Sequence, residues 1–143
     1  MTEQSHRSVT INRIAPRRFT AVNIRGGELT LGDGEDETFT PIELLLAGLA
    51  GCSAIDVDII TSRRAQPKQF AVTAQGKKVR DEAGNHLADL ELVFRVRFPD
   101  DTAGDAARAV LPDVMTKSHD RLCTVSRTVE LGTPVTVRAE PAA

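Results

Sequence analysis

The feature that most constrains this chain is the run from Leu44 to Ile60, which is apolar nearly all round. A helix without a polar face belongs inside a domain, so the rest of the chain has to cover it. Thr40-Pro41-Ile42-Glu43 opens that helix. Thr40 is a candidate N-cap, Pro41 suits the first helical position, and Glu43 stands where a capping box needs an acid. The helix is predicted to reach about Arg64 and to stop before Pro67. Ala47, Gly48, Ala50 and Gly51 in its first half let another backbone come close. At 143 residues the chain amounts to one domain, large enough for a core without disulfide staples.

The flanking segments read as an α+β arrangement. Residues 7–14, 18–25 and 28–31 carry apolar residues at strand-like spacing, with Arg25-Gly26-Gly27 as a turn, and are predicted to form an antiparallel meander. Gly32 to Thr38 is polar and acidic and reads as a solvated loop. Segments 69–80 and 88–98 alternate and form a predicted hairpin, with turn chemistry at Ala83-Gly84-Asn85. Residues 102–119 show helical spacing through Ala106, Ala107, Val110, Leu111, Val114 and Met115, with a kink expected at Pro112. Leu122 to Thr128 alternates apolar and polar, and Val135 and Val137 suggest a last short strand. The whole is read as a single domain, 1–143, with flexible tails at 1–7 and 139–143.

Composition removes several functions. A net charge of −2 offers no general attraction to nucleic acid or to an anionic membrane. The absence of Trp and Tyr leaves few stacking platforms. The N-terminus lacks a basic start followed by an apolar run, and the longest uninterrupted apolar stretch, Leu44 to Cys52, is about half the ~20 residues a bilayer span needs. The expectation is a cytoplasmic protein in a reducing compartment, with neither nucleic acid nor membrane as partner.

The two cysteines, Cys52 and Cys123, are too few for a disulfide scaffold and too far apart for a CxxC motif. They are open to three readings: buried structural thiols, a long-range redox pair, or part of a metal site. Cys52 shares a helix face with Leu45, Gly48, Ile55, Asp56, Ile59 and Arg63. Burial there would make the thiol inert unless a cation favoured its thiolate. Asp56, one turn further on, needs a cationic or donating partner. Arg63 is one candidate; Arg17, Arg18, Arg25, Arg121 and Arg127 are others. Cys123 lies in Ser118-His119-Asp120-Arg121-Leu122-Cys123-Thr124-Val125-Ser126-Arg127-Thr128, the stretch richest in reactive groups. His119 could serve as a general base for a cysteine or simply serve a helix C-terminus. With Cys52 and Cys123 it falls short of a full zinc ligand set, so no metal and no cofactor is expected.

Pro41-Ile42-Glu43-Leu44-Leu45-Leu46-Ala47-Gly48-Leu49-Ala50-Gly51-Cys52 resembles the first cysteine motif of the OsmC/Ohr family. Cys123-Thr124-Val125-Ser126-Arg127-Thr128 resembles the second, which a closing strand follows. The resemblance extends over residues 8–138. It implies an intertwined α+β homodimer with antiparallel sheets, two central helices and two active sites at the dimer interface. It also implies thiol-dependent reduction of organic hydroperoxides in oxidative-stress defence, with a lipoylated protein or another external dithiol as reductant. Carried onto this chain, Cys52 is the peroxidatic and Cys123 the resolving cysteine. Arg18, with Arg17 as its neighbour, is the arginine that activates the thiolate, and Glu43 is the supporting acid. Asp56, His119 and Arg127 are candidate binding residues at the same site.

Three departures set this chain apart. The acid follows the proline by two residues, because Ile42 stands where the peroxidase branches carry it. On an unbroken helix that puts Glu43 about 180° from Cys52. The second motif has no proline after its cysteine, and Asp56 has no counterpart in the peroxidases. These features resemble a less characterised OsmC-like branch. Two other functions therefore stand beside the peroxidase: a non-enzymatic protein binding a small apolar ligand at the dimer interface, and a thiol redox sensor.

Overall fold

The structure is a computed structural model and describes residues 2–141. It is a mixed α+β fold with two antiparallel sheets and several helices. Strands β1 (Val9–Ala15), β2 (Arg18–Asn23) and β3 (Glu28–Leu31) form the first sheet in that order. Helix α1 (Pro41–Thr61) follows, then β4 (Gln69–Asp81) and β5 (Gly84–Arg97) as a long hairpin. Helix α2 (Thr102–Lys117), a π-helical turn (Ser118–Leu122) and a short helix α3 (Thr124–Glu130) complete the order. The chain resolves into two compact units, one ending at Leu45 and one beginning at Leu46.

In the first unit, Asn23 organises the β2–β3 turn. Its Oδ1 accepts from the backbone of Arg25 and of Gly27, and Gly26 takes the positive φ of 87° that a side chain would resist. The acidic loop after β3 is exposed, as expected, and two of its carboxylates pair with arginines. Asp33 accepts from Arg17 Nε at 2.7 Å, and Asp36 pairs with Arg18. The Glu35 backbone N–H and the Arg17 guanidinium together hold the Asp33 carboxyl below its ordinary range. Helix α1 starts with the anticipated capping box: Glu43 Oε1 accepts from Thr40 N at 2.8 Å, and Thr40 Oγ1 accepts from Glu43 N at 3.2 Å.

In the second unit, α1 does not bury its whole circumference. Only Leu49, Ser53, Val57 and Thr61, a stripe at four-residue spacing, are buried. Burial of Leu49 and Val57 stabilises the unit by about 2 kcal/mol each. Ile55 and Ile59 are 63% and 51% exposed, so the expectation of a helix covered all round fails for a single chain. By length and composition alone α1 would also suffice to cross a membrane, with a mean hydropathy of 1.8. Its carboxylates at Glu43, Asp56 and Asp58 are groups that a bilayer interior disfavours.

The hairpin pairs Phe70 with Val96, Val72 with Phe94 and Ala74 with Leu92, all half-buried on one face. Phe70 and Phe94 meet edge to face at 6.3 Å. The reversal falls one residue earlier than expected, because Asp81 Oδ1 accepts from both Ala83 N and Gly84 N. Phe98, 2% exposed, then leads into α2. Asp101 caps α2 through Gly104 N at 2.7 Å, and α2 runs through Pro112 without a break. Any side chain at Gly104 would overlap Pro99 O, since a Cβ there would lie 1.8 Å from it.

The region after Lys117 departs most from expectation. Thr124–Glu130 is helical, although Leu122 to Thr128 alternates apolar and polar residues. Cys123 Sγ caps it by accepting from Ser126 N at 3.4 Å, and Thr128 Oγ1 donates back to Thr124 O at 2.7 Å. Among the described residues no strand forms after β5. Val135 and Val137 are 87% and 92% exposed, without the partner strand that a ladder needs.

Candidate functional site

The second unit brings the two cysteines together. Cys52 is half-buried on α1, and Cys123 is fully buried at the start of α3; both are free thiols. The local reasons are plain. Gly48, one turn before Cys52, leaves room for α3, and a Cβ there would touch Val125 Cγ1 at 3.7 Å. Burial pushes the Cys52 thiol above its ordinary value, and the adjacent Cys123 thiol adds to that rise. The backbone N–H groups of Val125 and Thr124 oppose it, because they point at the Cys52 sulfur and favour its thiolate. A half-buried thiol, a second thiol beside it and two amides that favour the first as thiolate make a site suited to sulfur redox chemistry.

Asp56 finds a partner, but not the guanidinium that was expected. Its Oδ2 accepts from Ser118 Oγ at 3.0 Å, and Ser118 Oγ lies 3.2 Å from Ser53 Oγ. Both serines are buried. A serine hydroxyl is small enough to enter the seam between α1 and the π-helical turn. Sequence reasoning missed Ser53 and Ser118 as functional candidates. The available signal was a polar residue, Ser53, inside the buried stripe of α1, since such a residue needs a hydrogen-bond partner.

The other candidate residues lie elsewhere. His119 Nε2 is 3.2 Å from Glu130 Oε1, so the imidazole turns to a carboxylate rather than to either sulfur. Arg127 is exposed on α3. In the first unit Arg18 is held by Asp36, and the Glu43 carboxylate is engaged in the helix cap. Among the described residues no group of three or more His, Cys, Asp or Glu side chains is placed to hold a metal ion.

A cavity of about 340 Å³ lies in the same unit. Its walls are apolar: Leu46 and Leu49 from α1, Leu90 and Leu92 from β5, and Val129 from α3. Its polar lining includes Gln75 bonded to Glu91 at 2.8 Å, the His119–Glu130 pair, and Ser126, whose backbone N–H bonds Cys123. Neither cysteine lines it.

Comparison with known proteins agrees with this architecture. Residues 33–138 match the family model for OsmC-like protein. An uncharacterised protein of Mycobacterium tuberculosis is 30% identical over 127 residues, which cover 87% of this chain and 90% of that one. A hypothetical protein from Aquifex aeolicus VF5 has the same fold, with a TM-score of 0.71 at 21% identity over 91% of each chain. An organic hydroperoxide resistance protein from Elizabethkingia anophelis has a TM-score of 0.58 at 20% identity, over 90% of this chain and 91% of that one. The match to the family model spans most of the sequence, and the chain belongs to the OsmC-like protein family of the OsmC/Ohr group.

Proposed function

We propose that the protein is a thiol-dependent organic hydroperoxide reductase. The Cys52 thiolate attacks the terminal peroxide oxygen, the O–O bond breaks, and the alcohol leaves with one proton. Cys52 is then a sulfenic acid. The Cys123 thiolate displaces hydroxide from that sulfur, forming the Cys52–Cys123 disulfide and water once a proton is added. An external dithiol, a lipoylated protein or a similar carrier, returns both cysteines to thiols. The observation that supports this reading most is that two free thiols are near enough for Cys123 to raise the Cys52 pKa, with the Val125 and Thr124 backbone amides favouring the Cys52 thiolate.

The assembly in this reading is a homodimer built around the cysteine helices. It is supported by the open face of α1, where Ile55 and Ile59 share the side of Cys52, and by Ile24, 80% exposed beside the first sheet. Arg18 is our choice for the guanidinium that lowers the Cys52 pKa, with Glu43 as the acid that orients it. The pH profile of a single turnover tests this. Consumption of cumene hydroperoxide by reduced protein should rise about tenfold per pH unit on the acid side of the Cys52 pKa, because only the thiolate reacts. Arg18→Ala should move the whole profile to higher pH. An unmoved profile removes Arg18 from the mechanism; no consumption at any pH removes the peroxidase.

The cavity favours a second reading, in which the protein binds a small apolar ligand and its cysteines are core residues. Its volume falls in the range of small-molecule sites. That reading predicts two free thiols after peroxide treatment.

A further inference from the structure

Three hydroxyl and carboxylate groups join α1 to the segment that carries Cys123. A serine hydroxyl has one proton and a carboxylate only accepts, so the direction of the chain is determined. Ser118 Oγ donates to Asp56 Oδ2, and Ser53 Oγ donates to Ser118 Oγ. The backbone of Ser118 is committed as well. Its N–H bonds Met115 O and Val114 O at the end of α2, and its carbonyl accepts from Cys123 N at 2.8 Å. That last bond spans five residues and closes the π-helical turn. Single π turns are rare and are commonly found at functional sites. Relaxation to the ordinary four-residue register would turn Cys123 about 100° around the helix axis.

We infer that Asp56 is a positioning residue: by anchoring Ser118 it holds the π-helical turn in the register that keeps the Cys123 sulfur against Cys52. The inference rests on the cysteine pairing proposed above, but not on peroxide as the oxidant. Asp56 lies one turn from Cys52 on the same helix, so one element carries both the thiol and the anchor for its partner. The Ser53 hydroxyl, buried and next to Cys52 in sequence, donates to Ser118 Oγ and so holds it from the α1 side.

The test is the effective concentration of the Cys52–Cys123 disulfide in the full-length protein, measured at equilibrium with glutathione. Each disulfide formed consumes one oxidised glutathione and releases two reduced ones, so no peroxide chemistry is needed. Asp56→Ala and Ser118→Ala should each lower the effective concentration at least about tenfold, whereas Asp56→Asn, which keeps an acceptor oxygen, should stay within about threefold of the unaltered protein. A merely structural role would lower the melting temperature of all three without separating Asp56→Asn from Asp56→Ala in the disulfide equilibrium. If Asp56→Ala does not fold, the Ser118→Ala and Asp56→Asn pair carries the same comparison. Equal effective concentrations in all variants overturn the positioning role and leave the pairing intact. An unaltered protein that forms no intramolecular disulfide overturns both.

Discussion

Cys52→Ser should abolish consumption of organic hydroperoxides, with a loss of about a thousandfold or more in the single-turnover rate, because a serine hydroxyl supplies almost no anion at neutral pH. The substitution is small and the site is only half-buried, so the fold should survive it. The Ser hydroxyl would still face the Val125 and Thr124 amides that face the Cys52 sulfur. A retained circular dichroism spectrum with lost peroxide consumption is therefore the expected pair of results. Full consumption by Cys52→Ser would move the chemistry to Cys123 or away from thiols altogether. The cavity between α1, the hairpin and α3 would then become the stronger guide to function.

Cys123→Ser should separate the two halves of the reaction. One equivalent of cumene hydroperoxide should still disappear, but the protein should stop at a Cys52 sulfenic acid that dimedone traps. In the unaltered protein the sulfenic acid should escape trapping, since a neighbouring thiol condenses with it. Turnover with an external dithiol should fall at least about tenfold in the variant, as excess peroxide carries an unresolved sulfenic acid to the irreversible sulfinic form. Serine is a good N-cap and can accept from Ser126 N in place of the Cys123 sulfur, so α3 should persist. Peptide mass spectrometry of the dimedone adduct reads the result. A variant that shows no adduct, with Cys52 still reduced after peroxide, would contradict the assignment of roles.

The parts of the fold that were legible in the sequence are those whose pattern and packing agree. The meander follows from alternating residues and from Gly26, and the hairpin from Phe70, Val72, Phe94 and Val96 falling on one face. Thr40 and Glu43 mark the start of α1 because both halves of a capping box are local chemistry. Two features could not be read in this way. Val125 and Val129 are spaced for a helix face as well as for a strand, and the chain forms the helix, with the Cys123 sulfur at its N-cap. The apolar circumference of α1 shows that it needs covering, but not that one chain covers only the Leu49–Thr61 stripe.

The site divides in the same manner. Cys52 and Cys123 stand out as the only thiols, and the family motifs join them. The π-helical turn that leads into Cys123 is closed by a five-residue bond that has no sequence signature. Asp56 was legible as a group in need of a partner. That the partner is Ser118 follows from where α2 ends, a boundary that periodicity leaves uncertain by several residues. His119 looked available for catalysis only because Glu130, on the neighbouring helix α3, is eleven positions away in the chain.

The most direct test of the cysteine-pair mechanism is a thiol count on reduced protein after one equivalent of cumene hydroperoxide. The mechanism predicts the loss of both thiols per chain and one intramolecular disulfide linking the Cys52 and Cys123 peptides. Two thiols still free, with the hydroperoxide unconsumed, would contradict it.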